Sequence, residues 1–336
     1  MLQYGSTLKW YRALLHQQFN PRASKGYLPV HYHETRKFMK RLLENPKDFL
    51  SAVRLMTSSV FLRVAYGHEV KSVDDIFVRN AALGTAAFSE TMQPTRWVVD
   101  MLPMLRYLPV WFPLATFHRR AKQIYEMEST HRELPFQDLE KRVSEGTAEA
   151  CFASKLLHKD DGALVDPEER EHIKYLTSSV YSGAADSATS LLESFFLAMT
   201  LYPDVQAKAR EEIDAYTEQY TKGSRSQLIL FEDRANLPYT RMKMNLNMWK
   251  MMHDPEVYEQ PDRFMPERYL VENPPPEPES YAFAFGRRIC PGVATSKHML
   301  FIAMSNVLAN FTIGKAKDER GLDITPEERY SSDLTR

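Results

Sequence analysis

Apolar residues return every three or four positions through most of this 336-residue chain. That spacing is typical of helices that bury one face. The last such segment should turn Leu300, Met304, Val307 and Phe311 to one side. The pattern predicts helices over residues 8–19, 32–43, 46–66, 119–144, 172–202 and 293–311, with a charged helix after 203. Alternating apolar and polar runs are sparse, so we expect a mainly α fold with little sheet.

Residues 97–117 interrupt the helical pattern because they combine prolines with many aromatic and aliphatic side chains. Proline removes a backbone N–H and clashes with the preceding turn, so one continuous helix cannot form there. We expect two short helices around an irregular apolar elbow. The elbow is either a buried connector or a lid that touches a membrane, since an exposed apolar patch marks a contact surface.

The composition is that of a globular protein, with 43% hydrophobic residues, 26% charged residues and a net charge of −1. A nearly neutral chain has no general attraction for nucleic acid. Cys151 and Cys290 are the only cysteines, too few for a disulfide framework. No run of about eighteen apolar residues is present, so we expect no membrane-spanning helix. The sequence after Met1 has the pattern of a chain that begins in mid-fold.

The stretch FAFGRRICPG, residues 283–292, surrounds Cys290 with features that a core cysteine does not need. Gly286 permits a backbone conformation or close approach that a side chain would block. Arg288 supplies a fixed positive charge and a donor fork for a carboxylate. Pro291 suits the first turn of the following helix, whose free N–H groups would stabilise a thiolate. A ligand thiolate therefore competes with core packing as the role of Cys290.

This segment resembles the haem-binding signature of the cytochrome P450 family of haem-thiolate monooxygenases. The signature F-x-x-G-x-R-x-C-x-G is matched by Phe283, Gly286, Arg288, Cys290 and Gly292. The resemblance implies that Cys290 is the proximal ligand of the iron in haem b (heme b, iron protoporphyrin IX). It also implies that Arg288 contacts a haem propionate and that Phe283 packs near the sulfur. A thiolate ligand favours cleavage of the O–O bond, which is the chemistry of that family.

A second similarity lies upstream, in the proline-rich residues 251–270. Taken alone, this stretch would be a surface loop. However, F-x-P-E-R at Phe264, Pro266, Glu267 and Arg268 resembles the meander of the same family, whose arginine pairs with an E-x-x-R on a preceding helix. No E-x-x-R occurs between residues 233 and 251, so we expect Arg268 to be stranded without its glutamate partner.

The long apolar helix contains small residues followed by an acid, in VYSGAADSATSLL at residues 180–192. Close helix packing with a solvated carboxylate would explain the pattern. It also resembles the oxygen-activation segment of the family, which implies a proton relay by Asp186 and Ser187. The second hydroxyl position of that segment is Ala188 here. Thr189 is a poor substitute, because one helical residue turns the side chain by about 100°.

Residues 4–19 resemble the family's helix that crosses the edge of the haem. The tryptophan of that helix falls on Leu8, or on Trp10 if the register slips by two residues. Arg12 is then a second possible propionate partner, since guanidinium and carboxylate groups form strong hydrogen bonds. The alternative is that Arg12 is an ordinary surface arginine.

A competing class of function comes from H-x-H-E at His31, His33 and Glu34, which could suggest a metal-dependent hydrolase. The surrounding periodicity is helical, and on a helix His31 and His33 point about 200° apart. They cannot share one metal ion in that geometry. Glycine-rich phosphate loops and basic nucleic-acid stripes are absent from the sequence.

By resemblance, residues 1–336 form a single haem-thiolate monooxygenase domain that is incomplete. The anchor and first helices of the family would precede Met1, and its last strands would follow the end of the chain. The helix that carries E-x-x-R would fall near residues 242–247, where several dozen family residues are missing. Losing that helix would open one wall of the haem pocket.

The family's reaction inserts one atom of O₂ into an apolar organic substrate, with electrons from NADPH delivered by a separate cytochrome P450 reductase. The resemblance is strongest to fungal microsomal members. It implies a role in secondary metabolism or xenobiotic oxidation at the cytosolic face of the endoplasmic reticulum membrane. The alternative, from a different class, is a catalytically inactive helical remnant that at most binds a partner or an apolar ligand.

Overall fold

The computed structural model describes residues 3–93, 96–112, 115–159, 162–220, 228–242 and 254–327. Helix dominates these residues. The α-helices, numbered in chain order, are α1 (Ser6–Phe19), α2 (Pro21–Ser24), α3 (Leu28–Glu44), α4 (Phe49–Tyr66), α5 (Ile76–Met92), α6 (Val98–Met101), α7 (Thr116–Ser144), α8 (Phe152–Leu156), α9 (Pro167–Leu201), α10 (Pro203–Tyr220), α11 (Pro238–Met242), α12 (Glu279–Ala282) and α13 (Val293–Asn310). Short 3₁₀ turns lie at Lys25–Tyr27, Pro46–Asp48, Pro103–Tyr107, Phe231–Asn236, Pro266–Tyr269 and Gly286–Arg288.

Extended structure in the described part of the chain consists of one small hairpin and an isolated bridge between His158 and Leu164. Strand β1 (Ala316–Lys317) pairs antiparallel with β2 (Asp323–Ile324). The mainly α fold with little sheet that the periodicity predicted is therefore confirmed.

Helix boundaries follow local chemistry. Helix α9 ends at Leu201 and α10 begins at Pro203, as expected of a residue that cannot continue a helix but suits its first turn. The side chain of Asn20 accepts hydrogen bonds from the backbone N–H groups of Arg22 and Ala23, which caps α2. Proline and a short polar side chain thus set these two starts.

The chain divides into two compact units. One comprises residues 3–56 and 188–327, and the other comprises residues 57–187. The division falls within α4 and within α9, so each of these helices contributes to both units. The expectation of a single domain over the whole chain stays a prediction.

Helix α13 lies in the core of the first unit. It packs against α3 and α10, and every residue from 298 to 308 is buried. The predicted face of Leu300, Met304 and Val307 is buried, while Phe311 lies just past the helix and is half-buried. A one-sided face was too narrow a prediction, because neighbouring helices cover α13 on all sides.

The second unit packs α5 against α7 and ties α7 to α9 by ion pairs. The ammonium of Lys174 lies 2.8 Å from Glu133 and 2.9 Å from Glu171. Arg170 pairs with Glu140. These charges are partly buried, so they are screened less than ordinary surface pairs.

The elbow of residues 97–117 forms two short helical pieces, α6 and the 3₁₀ turn Pro103–Tyr107, as the prolines predicted. Its side chains are largely exposed: Met104 is 81% and Trp111 is 80% accessible. A buried connector is therefore the wrong interpretation of this segment.

One helical stretch, Pro46–Tyr66, is long and apolar enough to cross a membrane by length and composition alone. The mean hydropathy of this stretch is high enough for a membrane span. Arg54 and Arg63 interrupt its apolar run, and for that reason the sequence pattern did not indicate a span. Two-thirds of it (67%) is buried inside the protein, as in an ordinary core helix.

Candidate functional site

The loop around Cys290 has an unusual backbone that its residues explain. Ala284 and Gly286 have positive φ angles of 58° and 57°, in the left-handed region that favours glycine. The loop is closed by the backbone N–H of Cys290, which donates to the carbonyl of Phe283 at 2.7 Å. A Cβ at Gly286 would meet no atom within 4 Å, so glycine is favoured there for its conformation and not for space.

Cys290 lies just before α13, which begins at Val293 with Gly292 at its N-cap. Pro291 therefore lies two residues before the first residue of the helix, and the prediction that it suits the first turn is wrong. A Cβ on Gly292 would lie 3.8 Å from the sulfur of Cys290 and 3.8 Å from Ser296 Oγ. The glycine at this position leaves that side of the sulfur uncovered.

Burial raises the pKa of the Cys290 thiol, although a hydrogen bond from the Gly292 backbone and the charge of Arg12 act in the opposite direction. The sequence predicted the reverse, a thiolate stabilised at a helix N-terminus. Desolvation outweighs the N–H groups because the half-buried sulfur loses water that would solvate its anion. A bound metal ion supplies the positive charge that such a thiol needs in order to ionise.

Arg12 on α1 reaches the same loop. Its guanidinium Nη1 donates to the carbonyl of Ile289 at 2.7 Å, next to Cys290. Arg12 is thus not an unconnected surface residue, while its contact with a propionate stays a prediction. Leu8 and Trp10 are both half-buried, and the choice between them stays open.

Cys290 and Arg12 share a pocket of about 440 Å³ in the first unit. Its walls combine apolar side chains with basic ones, two of which are histidines. The apolar lining is Phe19, Phe231, Ile289, Pro291, Val293 and Ala294, and the basic lining is Arg12, His16, Lys25, Lys297 and His298. A thiol beside apolar walls and cations is the donor set that a haem-thiolate site requires, so these residues fit the group.

Two other signature residues lie near this pocket in sequence but do not line it. Arg288 is exposed in the turn Gly286–Arg288, and Phe283 is half-buried at the end of α12. Their roles toward a propionate and toward the sulfur stay predictions.

Arg268 is not stranded as the sequence suggested. Its guanidinium donates to the carbonyls of Met265 at 3.2 Å, Gln260 at 3.0 Å and Arg263 at 2.7 Å. These three acceptors lie in its own loop, so the guanidinium makes three hydrogen bonds there without a glutamate. Glu267 beside it accepts from Lys208 at 2.5 Å and pairs the meander with α10.

Asp186 and Ser187 lie on α9 in the second unit, whereas Cys290 belongs to the first. Ser187 is exposed, and its hydroxyl donates back to the carbonyls of Gly183 at 2.8 Å and Ala184 at 3.3 Å. Asp186 is half-buried, and Ala188 is 2% exposed. The proton-relay assignment stays a prediction.

Two histidines are buried in the first unit: His31, which sequence reasoning considered only as a possible metal ligand, and His298, which it missed. His298 lines the pocket at 3% exposure, and its ring centroid is 6.4 Å from that of His31. Burial, with His298 nearby, lowers the pKa of His31 to about 3. No local pattern marked His298, because Cys290 lies outside α13 and the separation between the two residues is not a helical spacing.

The two histidines of the H-x-H-E pattern do not face one common site. His31 is fully buried on α3 while the side chain of His33 is 48% exposed, so the two diverge as predicted. Within the described ranges, no group of three or more His, Cys, Asp or Glu side chains could hold a metal ion.

Comparison with known proteins gives a consistent result. A family model described as "Cytochrome P450" matches residues 1–245 and 242–332, two pieces that meet at 242–245. Cytochrome P450 monooxygenase claR of Ampulloclitocybe clavipes is 30% identical over 98% of this chain and 67% of its own length. Cytochrome P450 monooxygenase 208 of Postia placenta is 32% identical over 99% of this chain and 70% of its own.

The fold has a counterpart among solved structures. A zebra fish cytochrome P450, solved with abiraterone, matches with a TM-score of 0.68 over 98% of this chain and 79% of that one. The sequence identity is 16%, so this likeness concerns the fold alone.

Proposed function

The chain belongs to the cytochrome P450 family of monooxygenases, and from that premise we propose that Cys290 is the axial thiolate ligand of a haem b iron. The observation that carries the proposal is the left-handed loop, which holds a half-buried sulfur beside Arg12 at the edge of an apolar pocket. A core cysteine requires neither the glycines nor the nearby cation.

When bound, haem supplies the activation of O₂ and the transfer of one oxygen atom to the substrate. The residues of this chain bind and orient. Cys290 would lose its thiol proton and supply the sulfur ligand of the iron. Arg12 and Arg288 would hold the two propionates through their guanidinium groups. Gly292 leaves the side of the sulfur open.

Protons come from the segment on α9 in this proposal. Asp186 accepts a proton from solvent, and the hydroxyl of Ser187 donates a proton toward the reaction site. Ser187 must first release the carbonyl of Gly183, to which its hydroxyl donates at 2.8 Å. Ala188 offers no hydroxyl, so we expect slower proton delivery than in a chain with threonine there.

The substrate in this proposal is an apolar organic molecule of secondary metabolism or xenobiotic oxidation, with electrons from NADPH through a separate cytochrome P450 reductase. The exposed elbow supports a site of action at the endoplasmic reticulum membrane. Four of the elbow's side chains are each about 70–80% accessible: Met104, Tyr107, Val110 and Trp111. Exposed apolar side chains of this kind mark a contact surface.

The haem proposal is tested by supplying haem to the expressed chain, reducing it and adding carbon monoxide. We expect the long-wavelength Soret band of a thiolate complex, absent in Cys290→Ser. Cys151→Ser, which alters a buried cysteine of the other unit, should keep the band. A folded chain that takes up no haem would contradict the proposal.

The membrane proposal has a separate test. The chain should co-sediment with phosphatidylcholine vesicles, and Met104→Ser together with Trp111→Ser should reduce the bound fraction severalfold. Equal sedimentation of both proteins would contradict a contact through the elbow.

A second candidate is an inactive remnant that binds a ligand or partner. The observation that favours it is the missing E-x-x-R, together with the junction of the two family matches at 242–245. Reading the transcript across the codons for 242–247 separates the two. A transcript that encodes an additional segment with E-x-x-R at this point favours the enzyme. A transcript that encodes the sequence as it stands favours the remnant.

A further inference from the structure

Three charged side chains meet around the segment that carries Cys290. Glu279 is the first residue of α12, Lys297 lies in the second turn of α13, and Arg234 belongs to the turn Phe231–Asn236. Oε1 of Glu279 lies 3.6 Å from Nη2 of Arg234, and Oε2 of the same carboxylate contacts Nζ of Lys297. One carboxylate therefore serves two cations, with one oxygen for each.

The cluster is partly withdrawn from water. The side chains of Glu279, Arg234 and Lys297 are 17%, 25% and 27% exposed. Charge pairs at this depth are screened less than surface pairs, and removing one partner leaves uncompensated charge. Burial lowers the pKa of Arg234, and Glu279 is the largest influence in the opposite direction.

The chain positions of the three residues give the cluster its meaning. Glu279 precedes the left-handed loop and Lys297 follows it, so their ion pair joins the two ends of the segment that contains Cys290. Within this closed segment, the N–H of Cys290 donates to Phe283 and the carbonyl of Ile289 accepts from Arg12. Arg234 ties the same carboxylate to a third element.

Two other charged residues of the region, Arg268 and Glu267, do not do this. The guanidinium of Arg268 donates to backbone carbonyls of its own loop. The carboxylate of Glu267 forms an ion pair with Lys208 on α10. Neither bridges the two flanks of the Cys290 loop. The sequence also lacks an E-x-x-R between residues 233 and 251.

We propose that Glu279 is a positioning residue for Cys290: it clamps the flanks of the ligand loop through Lys297 and Arg234. The ion pairs of the clamp do not depend on haem. Only their functional role, presenting the sulfur to iron, rests on the proposed function. Loss of the Glu279 carboxylate leaves Lys297 and Arg234 facing each other as like charges. The loop then opens more often, and Cys290 is exposed to solvent.

The first test uses the full chain without haem. The rate at which iodoacetamide alkylates Cys290 is followed by mass spectrometry, with Cys151, 1% exposed, as internal reference. Glu279→Gln should raise the Cys290 rate roughly fivefold to tenfold, since local opening controls access to a half-buried thiol. Glu267→Gln, which also removes a lysine partner in the same unit, should change it less than about twofold.

Variants at Lys297 keep the test decisive if Glu279→Gln folds poorly. Lys297→Met should reproduce the faster alkylation, and Lys297→Arg should retain the wild-type rate because the ion pair survives. In the double variant Glu279→Gln with Lys297→Met, the two effects should not add. An unchanged rate in Glu279→Gln, or an equal rise at Cys151, overturns the clamp, because the second outcome signals general unfolding.

A second readout separates the clamp from the haem proposal. In the carbon monoxide complex, Glu279→Gln should convert part of the thiolate-type Soret band to the shorter-wavelength band of a lost thiolate, and Lys297→Arg should not. If no variant binds haem but the alkylation pattern holds, the clamp stands and the haem proposal fails. If the Glu279 and Lys297 variants all show the full thiolate band and the wild-type alkylation rate, the clamp fails and the haem proposal stands.

Discussion

The Cys290 loop and the segment around Asp186 both match family motifs, yet they differ in what holds them. The loop has a left-handed backbone, a closing hydrogen bond from Cys290 to Phe283 and a guanidinium bond from Arg12. The segment on α9 is regular helix, and the hydroxyl of Ser187 donates to the carbonyl of Gly183 in the preceding turn. A motif that requires unusual backbone specifies its geometry, whereas a motif on a helix specifies only which side chains are present.

The largest effect should come from the histidine that packs beside the α9 segment. His131 is 2% exposed, and its Nε2 lies 2.7 Å from the hydroxyl of Ser182. Burial, aided by Arg132, lowers the pKa of His131 to about 4 from 6.5. Because the unfolded chain binds the proton first, stability is fully present above pH 6.5 and is lost as pH falls toward 4.

His131→Phe should retain about 3 kcal/mol of the unfolding free energy that the wild type loses on acidification, the amount that corresponds to the shift in the pKa of His131. The measurement is urea unfolding followed by circular dichroism at several pH values. His33→Gln, at an exposed histidine, is the control and should leave the slope unchanged. A His131→Phe slope equal to that of the wild type would show that the α9 segment is not packed as described.

A pair of glycine variants tests the two regions against each other. Gly286→Ala should lower the unfolding free energy by about 1–2 kcal/mol, because alanine resists a positive φ. Gly183→Ala, at a helical position with open space around it, should raise it by about 0.5–1 kcal/mol. Denaturant unfolding measures both, and changes of the same sign would break the comparison.

The smallest effect concerns the pKa of the Cys290 thiol. The charge of Arg12 lowers that pKa against the larger opposing effect of burial, so Arg12→Met should raise it further. Alkylation of Cys290 as a function of pH should then shift to higher pH by less than about one pH unit. Arg22→Met on the exposed surface of α2 is the control, and an equal shift there would contradict a specific role for Arg12.

Much of the fold was predictable because periodicity and proline carry it. The break at Tyr202–Pro203 and the two helical pieces of the elbow were correct. Burial of α13 on all sides was not, since one helix does not reveal how many neighbours cover it. The exposure of the elbow was likewise left open by its composition, because the same side chains suit a core or a contact surface.

The candidate site shows the same limit. The motif spacing singled out Cys290 and Gly286, and only the resemblance to the family suggested Arg12, which the structure places in the same pocket as Cys290. The net rise of the Cys290 pKa depends on burial by distant residues, which no local pattern contains. Glu279 was missed since its partners Arg234 and Lys297 are far away in sequence.

X-ray absorption at the iron edge of the haem-reconstituted chain tests the central claim most directly, because it counts sulfur among the ligands of the iron. We predict one sulfur ligand in the wild type and in Cys151→Ser, and none in Cys290→Ser. A haem-loaded wild-type chain whose iron has only nitrogen and oxygen ligands would contradict the assignment of Cys290.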